Sequence, residues 1–75
     1  MEEKILEILN TVLENSANEK LSTINLDMHL RNDIGFDSFE LAELTVRIEA
    51  EYDIDIFEDG IVNTVHEIIE KLKSK

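Results

Sequence analysis

Seventy-five residues give one domain with a small core, because a chain of this length buries only about 60% of the surface its unfolded form exposes. Eighteen acidic residues against seven basic ones leave a net charge of -11, which repels phosphate backbones, excludes nucleic acid as a partner and favours basic protein surfaces. The chain has no cysteine, so it can form neither a disulfide nor a thiolate zinc site, and any thioester chemistry needs a thiol supplied by a cofactor.

Aliphatic residues recur at helical spacing, there is no proline, and the only glycines are Gly35 and Gly60. An all-α bundle of three to four helices is expected. The first helix is predicted from Glu2 to Asn15, with Ile5, Leu6, Leu9, Val12 and Leu13 as its apolar stripe and Glu2 and Glu3 at its positive end. A long Ser-, Asn- and Thr-rich connection follows, from Ser16 to Phe36. Such length implies a functional loop or one packed by its own side chains. Leu21, Ile24, Leu26, Leu30 and Ile34 are available to pin it, and Leu26 to Leu30 suggests a short helical turn. The second helix is predicted over Ser38 to Tyr52, capped by Asp37 with Glu40 three residues on. Its buried stripe reads as Leu41, Leu44 and Ile48 with Ala42, Thr45 and Tyr52 alongside. Glu40, Glu43, Arg47, Glu49 and Glu51 are expected to face outward. Asp53 to Phe57 alternates but has no partner strand, so it reads as an extended linker with Ile54 and Ile56 turned inward. A short helix or turn around Glu58 to Val62 is weakened by Gly60. The last helix opens with a capping box, Thr64 and Glu67, and carries Val65, Ile68, Ile69 and Leu72 on one face.

Charge is concentrated in the middle of the chain. From Asp33 to Asp59 there are ten acids and one base, Arg47, a local charge of -9. Within it, Asp33-Ile34-Gly35-Phe36-Asp37-Ser38-Phe39 stands just before the second helix. If Asp37 is the cap, Ser38 is the first helical residue and its hydroxyl is free, while Gly35 lets the chain turn ahead of it. An anion on Ser38 would lie by unpaired helix-start amides.

This stretch resembles the modification site of acyl carrier proteins, written D-[LI]-G-x-D-S-[LMFI]. The likeness extends from the first helix to Leu72 in length, helix order and charge, and includes Glu43-Leu44-Thr45-Val46 and Glu49-Ala50-Glu51-Tyr52-Asp53-Ile54. It implies a single carrier domain over residues 1–75 that catalyses nothing itself. It further implies that a phosphopantetheinyl transferase places 4′-phosphopantetheine on Ser38, with Asp37 supporting the modification through the transferase's metal ion. Acyl-transfer and synthase enzymes of fatty acid, lipid or polyketide synthesis would then dock basic patches against Glu40, Glu43, Val46 and Glu49. Phe57 stands where many members have proline, and Phe57 to Asn63 is shorter than in the fatty-acid type; both bear on the third helix. Arg47 within the acidic face is compatible with a specialised carrier.

An aminoacyl or peptidyl carrier of the same fold, or an acidic helical adaptor in which Ser38 merely starts a helix, are the alternatives. Asp53-x-Asp55 fails as a calcium loop because Phe57, Glu58 and Thr64 occupy required positions. Ser38 has no His-Asp set to make it a hydrolase nucleophile, and His29 and His66 have no neighbouring cysteine with which to bind metal. No apolar run approaches the ~20 residues of a membrane span. Met1-Glu2-Glu3-Lys4 lacks the features of a signal peptide. A monomeric cytoplasmic protein is therefore expected.

Overall fold

The computed structural model describes residues 1–58 and 60–74, which form three helices: α1 (Glu2–Asn15), α2 (Ser38–Tyr52) and α3 (Val65–Lys73). The all-α bundle with a long α1–α2 loop is the predicted architecture. None of the helices in the described residues is long and apolar enough to cross a membrane.

In α1 the buried stripe is Ile5, Ile8, Leu9, Val12 and Leu13. Leu6, expected on that stripe, is only half-buried and Ile8 takes its place. Successive residues turn about 100° around a helix, so position 6 stands off the 5–9–12 seam while position 8 flanks it. The helix ends in a Schellman turn. Asn18 N–H donates to Leu13 O at 2.9 Å and Ala17 N–H to Glu14 O at 3.1 Å, with Ala17 at φ 60° in the left-handed region usually taken by glycine.

The 16–37 connection is irregular but tied down. The Asn10 side-chain amide pairs with the backbone of Leu21 in both directions, donating to its carbonyl at 2.9 Å and accepting from its N–H at 2.6 Å. Leu30 and Phe36 are buried in the core, and Leu21, Ile24, Met28 and Ile34 pack against it. Leu26, expected to help pin the loop, remains 40% exposed. Its backbone does the anchoring instead, since its carbonyl accepts from His66 N–H at 3.0 Å. Where Leu26 to Leu30 suggested a helical turn, a turn closed by Met28 N–H to Asn25 O leads into an isolated antiparallel bridge between His29 and Thr64.

Asp53, at φ 59°, terminates α2 and donates its N–H to Glu49 O at 2.7 Å. Ile56 is fully buried and Ile54 half-buried, as the linker reading requires. Of the short helix or turn expected around Glu58 to Val62, no helix forms among the described residues, Asp59 lying outside them. Instead, Glu58 N–H bonds Asp55 O and Gly60 N–H bonds Phe57 O, both at 3.2 Å, in consecutive turns. Gly60 sits at φ 136°, far from helical values, which physically ends any helix there. Val62 then dips into the core and Ile61 stays 80% exposed. The predicted face of α3 is buried at Val65, Ile68, Ile69 and Leu72.

Candidate functional site

The start of α2 is built by a hook in the preceding loop. His29 N–H donates to Asp33 Oδ2 at 2.7 Å, and Asp33 and Ile34 N–H both return to His29 O at 3.0 Å. Gly35 at φ 90° turns the chain, and Phe36 N–H closes on Leu30 O at 2.9 Å. The hook is anchored at both ends by apolar burial, Leu30 at 1% and Phe36 at 2% exposure. Asp37 follows as the N-cap: its Oδ1 accepts Glu40 N–H at 2.8 Å, and Glu40 Oε1 accepts Asp37 N–H at 3.0 Å. This is the predicted capping box.

Ser38 is therefore the first helical residue, with its side chain in solvent. Of the four donors at the start of α2, Glu40 N–H is taken by Asp37 Oδ1 and Leu41 N–H by Asp37 O. Those of Ser38 and Phe39 have no acceptor among the described residues. Arg31, at the apex of the hook, donates from Nη2 to Ser38 Oγ at 2.9 Å. The hydroxyl is thus accessible and its own proton is free to leave. Two uncommitted amides and a guanidinium thus lie at the helix start that carries Oγ. The residues present fit a phosphodiester.

Beside Ser38 opens a groove of about 570 Å³. One wall is Leu41, Ala42 and Thr45 of α2, another Phe57, Ile61 and Val62, and the polar end holds His29, Arg31, Asn32 and Asn63. Ala42, read as part of the buried stripe, is exposed and lines this groove.

The outward face of α2 needs one correction. Glu40, expected to face partners, is only 6% exposed. Both its carboxylate oxygens are engaged, Oε1 in the capping box and Oε2 by Asn18 Nδ2 at 3.1 Å. A carboxylate so held is satisfied internally and can therefore be buried. Glu49 and Val46 are exposed, Val46 at 67%. Glu43 is half-buried, accepting from Asn15 Nδ2 at 2.8 Å and Arg47 Nε at 2.9 Å. Those two bonds, the asparagine's first, hold its carboxyl below the usual range. Phe39, 77% exposed, joins Val46 one heptad later on the same face. Neither Phe39 nor Arg31 carries a role in the sequence pattern. The 3.6-residue period could have placed Phe39 with Val46. Nothing periodic could have placed Arg31.

A family profile described as "phosphopantetheine attachment site" matches residues 3–72. An acyl carrier protein of Syntrophus aciditrophicus is 33% identical over 75 residues, 97% of this chain and 89% of its own length. One from Rickettsia canadensis is 32% identical over 77 aligned positions, covering 100% and 85%. One from Trieres chinensis is 28% identical over 69, covering 89% and 86%. No solved structure matches the chain significantly.

Proposed function

The chain belongs to the acyl carrier protein family, which makes it an acyl carrier with a covalent 4′-phosphopantetheine group, and on that premise we propose that Ser38 Oγ is the attachment atom. The observation that carries this is the exposed hydroxyl at a helix start that keeps two backbone donors unspent. In the transfer from coenzyme A, Ser38 Oγ loses its proton to solvent and bonds phosphorus. The pyrophosphate P–O bond breaks and adenosine 3′,5′-bisphosphate leaves. The chain has no cysteine, so the arm supplies the thiol on which acyl groups are held as thioesters.

Asp37 serves twice in this reading. One carboxylate oxygen caps α2, and the other is left to meet the transferase's metal ion. Carrier function requires the chain to meet transferase and synthase enzymes. Glu43, Val46 and Glu49 offer these partners an acidic face with an apolar contact, which Phe39 extends. Glu40 acts behind that face by fixing the cap. Residues 1–75 work as one monomeric cytoplasmic carrier domain that catalyses nothing, served by enzymes with basic docking patches.

The test is an intact mass after incubation with coenzyme A and a broad-specificity phosphopantetheinyl transferase. One phosphopantetheine should be added to the wild type and none to Ser38→Ala. No addition to the wild type, or equal addition to both, returns Ser38 to the role of a helix-starting residue in an acidic adaptor.

A further inference from the structure

Ser38 Oγ has one side-chain partner among the described residues, Arg31 Nη2 at 2.9 Å. The pairing is unusual for this chain. Seven bases face eighteen acids, and ion pairs engage Lys4, Lys20 and Arg47. Arg31 forms no ion pair among the described residues, though Asp33 and Asp37 are its near neighbours in sequence. Its backbone is fixed by the hook, with Leu30 buried on one side and Phe36 N–H closing on Leu30 O. The guanidinium itself is solvent-exposed and free to regrip.

We infer that Arg31 is the residue with which this chain holds the phosphate of its arm. The inference rests on the attachment reading for Ser38. Once Oγ is esterified, the non-bridging phosphate oxygens lie two bonds beyond the atom that Arg31 already reaches. A guanidinium fork suits two such oxygens better than one hydroxyl. The uncommitted N–H groups of Ser38 and Phe39 complete the cradle from the helix side. Attachment adds a negative charge to a chain that already carries -11. Arg31 offsets that addition locally and fixes the first link of the arm at the polar end of the groove, which Arg31 and Asn32 line.

The test is a thermodynamic cycle on the full chain, with the melting temperatures of apo and holo protein measured in wild type, Arg31→Ala, Arg31→Lys and Lys20→Ala at low salt. Lys20→Ala removes an equal charge from an exposed pair with Glu14 that has no bond to Ser38. Intact mass establishes full conversion of each protein first, so a failure of the Ser38 reading shows there and not in the cycle. Structural effects common to apo and holo cancel. Attachment should lower the melting temperature by about 2–5 °C more in Arg31→Ala than in wild type, the range expected of one exposed charge-assisted contact in a domain of this size. Arg31→Lys should recover part of that difference, and about 1 M salt should shrink it. The ³¹P resonance of the holo protein should move on Arg31→Ala and not on Lys20→Ala. The same apo-to-holo change in wild type and Arg31→Ala, or an equal effect from Lys20→Ala, would overturn the inference.

Discussion

Helices α2 and α3 open with the same device and use it differently. Each has a capping box, Asp37 with Glu40 and Thr64 with Glu67, and in each the third donor of the helix returns to the cap side chain. At α3 the remaining donors are also consumed. Val65 N–H bonds Met28 O and His66 N–H bonds Leu26 O, both at 3.0 Å, and Ile68 N–H bonds Thr64 O. The loop's backbone thus lies across that helix start and seals it. At α2 the corresponding first two donors, on Ser38 and Phe39, have no acceptor among the described residues. A complete helix start is a joint; an incomplete one, with a hydroxyl and a guanidinium beside it, is a place to hold an anion. The loop serves both, because its hydrogen bonds seal α3 while the hook that follows presents Arg31 to α2.

Loss of the support that the two helix starts share should have the largest effect. Leu30 lies between the two starts, buried at 1%, its N–H donating to Asn63 O at 2.8 Å. Leu30→Ala should cost about 2–5 kcal/mol by urea denaturation, a large share of the stability of so small a domain. It should raise amide exchange at both Val65 and Phe36. Exchange rising at only one of them would mean that the two starts are not coupled through the loop.

A smaller effect separates the two caps. Thr64→Ala should cost about 1 kcal/mol of stability and leave transfer to Ser38 unchanged. Asp37→Asn keeps an acceptor for Glu40 N–H, so its stability should stay within about 0.5 kcal/mol of wild type while transfer slows. If Asp37→Asn destabilised as much as Thr64→Ala and left the transfer rate alone, the start of α2 would be a joint like that of α3.

The smallest effect concerns pH and the acidic face of α2. The Glu43 carboxyl is held below its ordinary value near 4.5 by Asn15 and Arg47. A depressed folded value contributes stability that is present above the unfolded value and lost as the pH falls through the folded one. Wild type should therefore lose more stability than Glu43→Gln on titration from pH 5 downward. Parallel melting curves for the two proteins across that window would show that these bonds hold the ionised form no better than water does.

The helices themselves were legible because local periodicity and caps point the same way at Ile5 to Leu13, at Asp37 with Glu40, and at Thr64 with Glu67. The faces were read less well. The helical pattern places Glu40 outward, yet Asn18, twenty-two residues earlier, takes its second carboxylate oxygen and lets it be buried. The same pattern places Ala42 inward, yet the turns after α2 leave a groove beside it. Both differences arise from partners far away in sequence, to which a helical period is blind.

Residue types along the chain specify the helices, both capping boxes, the exposed Ser38 and the family likeness. The helices and caps depend on residue types within a turn or two of one another, where hydrogen bonds and apolar spacing are local, and the likeness depends on their order along the chain. Packing in three dimensions was needed for the loop to seal α3 and leave α2 open, for Glu40 to turn inward, and for Arg31 to reach Ser38. Those outcomes required a loop with no period to fold against the core through Leu30 and Phe36. Where such a loop comes to rest depends on packing and on backbone partners that no short stretch of sequence contains.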